Sequence, residues 1–121
     1  HGHSYKLDVT VIGTPNIDPN HVKYGMVIDF KDLKKIVKGE IVDVFDHATV
    51  FNKNTPHVAL ANTLEESGHK VLLVDYQPTS EEMIIDFAAK IQAKLPEQIK
   101  LHHLRLQETA TSFAEWYAAD Q

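Results

Sequence analysis

His1-Gly2-His3-Ser4-Tyr5-Lys6-Leu7-Asp8-Val9-Thr10-Val11 opens the chain in strict alternation. Residues i and i+2 of a strand project to one face. His1 and His3 therefore share a face with Tyr5, Leu7, Val9 and Val11, and Ser4, Lys6, Asp8 and Thr10 take the other. The spacing predicts a strand over 3–12 with one face buried. It also sets two imidazoles side by side at the rim of that face, where they could grip one metal ion. A zinc site takes at least three protein ligands, so this pair is an incomplete set. The chain carries no initiator Met, and a stretch upstream of His1 is expected.

Outward from this strand, residues 13–25 read as loop, with Thr14-Pro15-Asn16 and Asp18-Pro19-Asn20 as turn formers. Met26-Val27-Ile28 is a short extended run, and Asp29 can cap a helix beginning at Phe30. Leu33, Ile36, Val37, Ile41 and Val44 recur at helical spacing, which predicts a helix over 30–44 with Gly39 as its weak point. Residues 53–69 have no steady period and read as a long loop, with a helical turn at 58–65, and 70–74 is a β-like run. Thr79, with Glu82 three residues on, forms a capping box. Met83, Ile84, Phe87, Ala88, Ile91 and Leu95 then line one face of a second helix that runs to Pro96. A strand over 99–109, with Leu104, Leu106 and Glu108 on one side, a turn at Ala110-Thr111 and a strand over 112–117 make a closing hairpin. Strands and helices are segregated, which predicts an α+β fold with an antiparallel sheet and two helices on one face. Three strands make a thin sheet, and a fourth upstream of His1 would complete it.

Composition narrows the classes. At 121 residues, one domain over 1–121, incomplete at its N-terminus, is expected. The hydrophobic share of 43% and charged share of 24% are ordinary for a globular chain. A net charge of -5 gives no support to nucleic-acid binding. No apolar run approaches the roughly 20 residues of a membrane span. The absence of cysteine excludes a disulfide framework within this chain and agrees with a cytoplasmic protein. Eight histidines is a high count, and their placement matters more than their number.

Three further places could carry chemistry. Asp46-His47 sits just past the first helix, where a carboxylate beside an imidazole can orient it and raise its basicity; a helix-end cap is the plainer reading. Glu108 ends a strand filled by leucines on that face and needs a donor partner. Two N–H groups in a row would suit it as a bidentate ligand, whereas an isolated strand-end Glu more often reaches solvent. Thr79-Ser80-Glu81 opens a helix whose free N–H groups can meet an anion or a polar ring, though capping alone accounts for these residues.

Taken in order, His1-Gly2-His3-Ser4-Tyr5, Gly25-Met26-Val27-Ile28-Asp29-Phe30, Asp46-His47 followed by Asn52, Pro78-Thr79-Ser80-Glu81, and Glu108-Thr109 resemble the 6-pyruvoyltetrahydropterin synthase family. That family includes the bacterial 6-carboxytetrahydropterin synthases of queuosine biosynthesis, whose motif wording is nearest. The resemblance runs to about residue 117, with 53–76 its unanchored part. It implies a T-fold: a four-stranded antiparallel sheet with two helices on one face, trimers whose sheets close into a barrel, and hexamers of two stacked trimers. It implies a small-molecule pterin substrate, 7,8-dihydroneopterin triphosphate, and Zn2+ as cofactor. His1 and His3 match two of three zinc ligands, the third lying upstream together with the family's usual catalytic cysteine. His47 matches the general acid/base and Asp46 its acidic partner. Glu108 matches the anchor of the pterin's guanidine-like edge, and Thr79, Ser80, Glu81 and Thr109 match positions around the ring. Triphosphate elimination to 6-pyruvoyltetrahydropterin, or a catalytically silent pterin- or metal-binding oligomer, are the alternatives that this resemblance leaves open.

Overall fold

Strand β1 (Lys6–Ile12) forms where the alternation predicts it, with Leu7, Val9 and Val11 half-buried and Lys6, Asp8 and Thr10 exposed. The computed structural model describes residues 4–121, so His1 and His3 lie outside the described residues. The sheet is completed from the other end of the chain. β4 (Lys100–Gln107) pairs antiparallel with β1 on one side and with β5 (Phe113–Tyr117) on the other, in the order β1-β4-β5. Among the described residues this antiparallel sheet has three strands.

The central strand departs from simple alternation. Leu101, Leu104 and Leu106 are all buried, yet Leu101 and Leu104 have opposite parity and a regular strand would turn them to opposite faces. The register resolves this. Thr10 faces His103, but Val11 faces Leu101, so His102 is surplus and forms a bulge. The bulge resets the alternation and lets all three leucines meet the helices.

Those helices cover one face of the sheet. The first helical segment starts at α1 (Phe30–Val37), where Asp29 Oδ1 accepts from the Lys31 N–H at 2.9 Å as the expected cap. It widens into a π-turn over Lys38–Val42, where the Asp43 N–H reaches back to the Lys38 carbonyl, and ends in α2 (Asp43–Phe45). Gly39 lies in the π-turn, and the neighbouring Ile41 is the residue this segment buries most.

Residues 53–69 hold more structure than the expected loop. β2 (Thr49–Asn52) and β3 (Val71–Val74) pair in parallel, and α3 (Val58–Glu66) makes the crossover between them. Parallel pairing requires such a connection, so strands and helices are not wholly segregated and a third helix is present. β3 lies in the β-like run expected over 70–74, whereas the four-residue β2 carries too little alternation to announce itself.

Helix α4 (Ser80–Lys94) matches its prediction closely, burying Met83, Ile84, Phe87, Ala88 and Ile91. Its capping box is half made. Thr79 Oγ1 accepts from the Glu82 N–H at 3.3 Å, while the Thr79 N–H is taken by the Gln77 carbonyl at 2.7 Å. Tyr76 donates to Asp86 at 2.6 Å and so ties the approach to the helix onto its second turn. The core is the contact layer of Ile41 and α4 against Leu101, Leu104, Leu106 and Ala114. The Phe87 ring meets Phe45 edge-on at 4.9 Å, and this contact binds the end of the first helical segment to α4. The result is an α+β fold with an antiparallel sheet covered by helices, as the sequence predicts.

Leu104 is fully buried at the centre of this layer. Leu104→Ala should lower unfolding stability by about 2–5 kcal/mol, seen as a reduced denaturant midpoint with an unchanged slope.

Candidate active site

Asp46 ends the helical segment with extended backbone, and His47 then takes a left-handed conformation at φ 59. For a residue with a Cβ that region costs about 1 kcal/mol or more, so surrounding contacts must hold it. The Asp46 N–H still closes a helical bond to the Val42 carbonyl at 2.8 Å, and the Ala48 N–H returns to Phe45 at 3.0 Å. From the far side of the turn, Lys70 Nζ donates to the carbonyls of Asp43 and Asp46, each at 2.8 Å. The imidazole itself is 90% exposed, and its Nε2 lies 3.7 Å from Asp46 Oδ2. That separation permits charge attraction but is too long for a hydrogen bond. The neighbouring carboxylate therefore stands beside the ring without fixing its direction.

Glu108 lies just past β4, at the point where the β1 register ends. Its backbone N–H donates to the Ser112 carbonyl at 2.9 Å and closes the hairpin turn. The half-buried carboxylate accepts from the Tyr5 hydroxyl at 3.3 Å. Partial burial, then the Glu108 charge, then the hydrogen bond to it raise the Tyr5 phenol above its ordinary value. The phenol is thus a fixed donor at neutral pH, directed at one carboxylate oxygen.

The remaining predicted residues divide. Thr109 Oγ1 accepts from the N–H groups of Thr111 and Ser112, at 3.3 and 3.0 Å, and so shapes the turn. Thr79 caps α4. Ser80 Oγ is buried without a hydrogen-bond partner at the same helix N-terminus. Exposed Glu81 borders a shallow groove of about 300 Å³ between α4 and β5, lined by Ile84, Trp116 and Tyr117 among others, which includes neither Glu108 nor His47. Among the described residues no group of three or more His, Cys, Asp or Glu side chains is placed to hold a metal ion. The structure thus joins Glu108 to Tyr5, sets His47 beside Asp46, and keeps the α4 N-terminus as a third, separate piece.

Two contacts are invisible to sequence reasoning. The Tyr5–Glu108 pair depends on parity across facing strands, which is known only once the register is. A polar cluster also occupies the sheet face turned away from the helices: Glu115 Oε2 meets His103 Nε2 at 2.6 Å and the Tyr117 hydroxyl at 2.8 Å, and these bonds lower the Glu115 carboxyl below its ordinary value.

Known proteins share both this sequence and this fold. A family model described as 6-pyruvoyl tetrahydropterin synthase matches residues 1–119. The 6-carboxy-5,6,7,8-tetrahydropterin synthase of Haemophilus influenzae is 38% identical over 117 residues, covering 96% of this chain and 80% of the relative. The protein of the same name from Aquifex aeolicus is 33% identical over 123 residues, covering 96% and 72%. A crystal structure of an uncharacterized protein from Wolinella succinogenes superposes with a TM-score of 0.74 at 19% identity, over 96% of this chain and 77% of that one, which speaks for the fold alone.

The Tyr5 contact has a direct spectroscopic consequence. In tyrosine-labelled protein observed by NMR, Tyr5 should titrate above the ordinary 10.0. Glu108→Gln should bring it only part of the way back, because burial is the larger cause. A midpoint unmoved by Glu108→Gln would remove the contact.

Proposed function

Since the chain belongs to the 6-pyruvoyl tetrahydropterin synthase family, a family of enzymes, we propose that it acts as a 6-carboxy-5,6,7,8-tetrahydropterin synthase on 7,8-dihydroneopterin triphosphate, in queuosine biosynthesis. The observation that carries this reading is the 38% identity to the Haemophilus influenzae enzyme of that name across 96% of the chain. The described residues fit this reading. The Glu108 carboxylate accepts the paired N–H groups of the pterin's guanidine-like edge, a charge-assisted bidentate contact. Tyr5 holds one of its oxygens and limits rotation of the carboxylate plane. The unpartnered Ser80 hydroxyl, the N-terminus of α4 and the neighbouring Thr79, Glu81 and Thr109 offer polar contacts around the ring. His47, exposed on its turn with Asp46 at 3.7 Å, takes and returns protons at the substrate side chain.

His1 and His3 would hold the zinc ion. Two neutral imidazoles are a donor set zinc accepts, and a zinc site needs at least one further protein ligand beside them. Bound there, the ion would supply Lewis acidity toward the substrate's side-chain oxygens.

Assembly into a trimer, or into a hexamer of two trimers, belongs to the same reading. β1 and β5 are the outer strands of the sheet among the described residues, and open edges invite pairing with another chain. Ile17, Val22 and Phe30 are exposed by 79% or more on and beside the loop after β1, apolar surface that an assembly would cover. Among the described residues no helix is long and apolar enough to cross a membrane, and a cytoplasmic site of action suits the small soluble substrate.

The test is product identity. Zinc-loaded protein incubated with 7,8-dihydroneopterin triphosphate should yield the 6-carboxy product by mass spectrometry. The 6-pyruvoyl product would move the chain to the other branch, and neither product would leave a binding protein. Glu108→Ala should weaken pterin binding about 10- to 100-fold, the worth of a hydrogen bond to a charged group; unchanged affinity by calorimetry would remove the anchor assignment.

A further inference from the structure

We infer that Lys70 is a positioning residue for His47, holding from outside the turn that aims the imidazole. The inference rests on the acid–base reading of His47. The ring is 90% exposed, and the adjacent carboxylate stands 3.7 Å away, too far to fix its direction. Its aim is therefore set by the backbone, and the backbone of His47 is in the left-handed region at φ 59. A histidine stays there only where neighbouring contacts outweigh the return to an ordinary conformation.

Lys70 supplies those contacts from both its side chain and its main chain. Its ammonium donates to the Asp46 carbonyl, which belongs to the peptide that joins Asp46 to His47, at 2.8 Å. It donates equally closely to the Asp43 carbonyl, one turn earlier. Both carbonyls lie at the C-terminal end of the helical segment, where intrahelical donors run out and a cation is favoured by the helix dipole. The main-chain carbonyl of Lys70 accepts from the Thr49 N–H at 2.9 Å, just beyond His47. One residue thus grips the turn before and after the histidine. Lys70 reaches this place because α3 and the parallel β2–β3 pair bring the chain back beside the helix end. The βαβ unit, which carries none of the predicted site residues, is on this view what delivers the clamp.

Removing the ammonium frees two carbonyls to turn toward water and lets the peptide at His47 rotate. The reacting ring then loses its preset direction, and a misplacement of about 1 Å can cost on the order of a hundredfold in rate.

The experiment compares zinc-loaded wild type, Lys70→Met, Lys70→Arg and His47→Gln with 7,8-dihydroneopterin triphosphate, each well below its own melting temperature. Lys70→Met should lower kcat about tenfold or more, with KM changed less than about twofold and faster amide exchange at Ala48. Lys70→Arg, which keeps charge and donors, should recover most of kcat. In the His47→Gln background Lys70→Met should have little further effect, since the two act as one unit. If Lys70→Met does not fold, Lys70→Gln, which keeps a neutral donor, takes its place with the same direction of effect. A Lys70 variant that loses melting temperature but keeps wild-type kcat, while His47→Gln is impaired, overturns the inference and leaves the acid–base reading standing. Full turnover in His47→Gln overturns the acid–base reading, and the inference with it.

Discussion

The bulge at His102 is the constraint on which the rest of the structure hangs. β4 is the only strand that pairs on both sides within the described antiparallel sheet, and its apolar residues fall on both parities. Without the surplus residue, Leu101 would leave the core as Leu104 and Leu106 entered it. With it, all three meet α4 and Ile41. Glu108 continues the parity of Leu104 and Leu106 along the regular part of the register and so comes to face Tyr5. On the other parity, His103 and Arg105 project away from the helices, where His103 meets Glu115 and the Arg105 guanidinium lies 4.1 Å over the Phe113 ring.

Much of this architecture could be read in the sequence, and the unread part has identifiable causes. β1 announces itself because one of its faces is buried and the other wet. α4 does so because five buried residues recur at helical spacing behind a Thr cap. Within the β2–α3–β3 unit, the β-like run at 70–74 and the helical turn at 58–65 are legible, but the four-residue β2 and the parallel pairing are not. The candidate site can be named in the sequence by residue type, but its geometry is not readable there. Adjacency of Asp46 and His47 leaves their pairing open, and their 3.7 Å separation excludes a hydrogen bond between them. Lys70 is separated from Asp46 by 24 positions and carries no motif, so only the folded chain reveals it.

The pieces of the site share a mode of support. His47 comes after a helix end, Glu108 after a strand end, and Ser80 opens a helix, so each candidate residue sits where regular structure stops and backbone groups become available. Rigid elements hold these positions and short turns display them, which is how sites are commonly built on a stable frame. The turns here are themselves braced: Thr109 accepts two N–H groups within the hairpin, and Asp46 remains bonded to Val42 as the helix closes.

The π-turn over Lys38–Val42 gives the first helical segment an unusual relation between length and direction. A wide turn holds one residue more than the α-turn it replaces. In a surface loop a surplus residue is absorbed by slack, but inside a packed helix it becomes rotation. Deleting it would wind everything downstream back by about 100° about the helix axis. Phe45 would swing off Phe87, and Asp46 and His47 would point to another quarter of the molecule. The number of residues between Phe30 and Phe45 is therefore an angular setting, and a one-residue length difference there between relatives amounts to a change of bearing for the turn that carries His47.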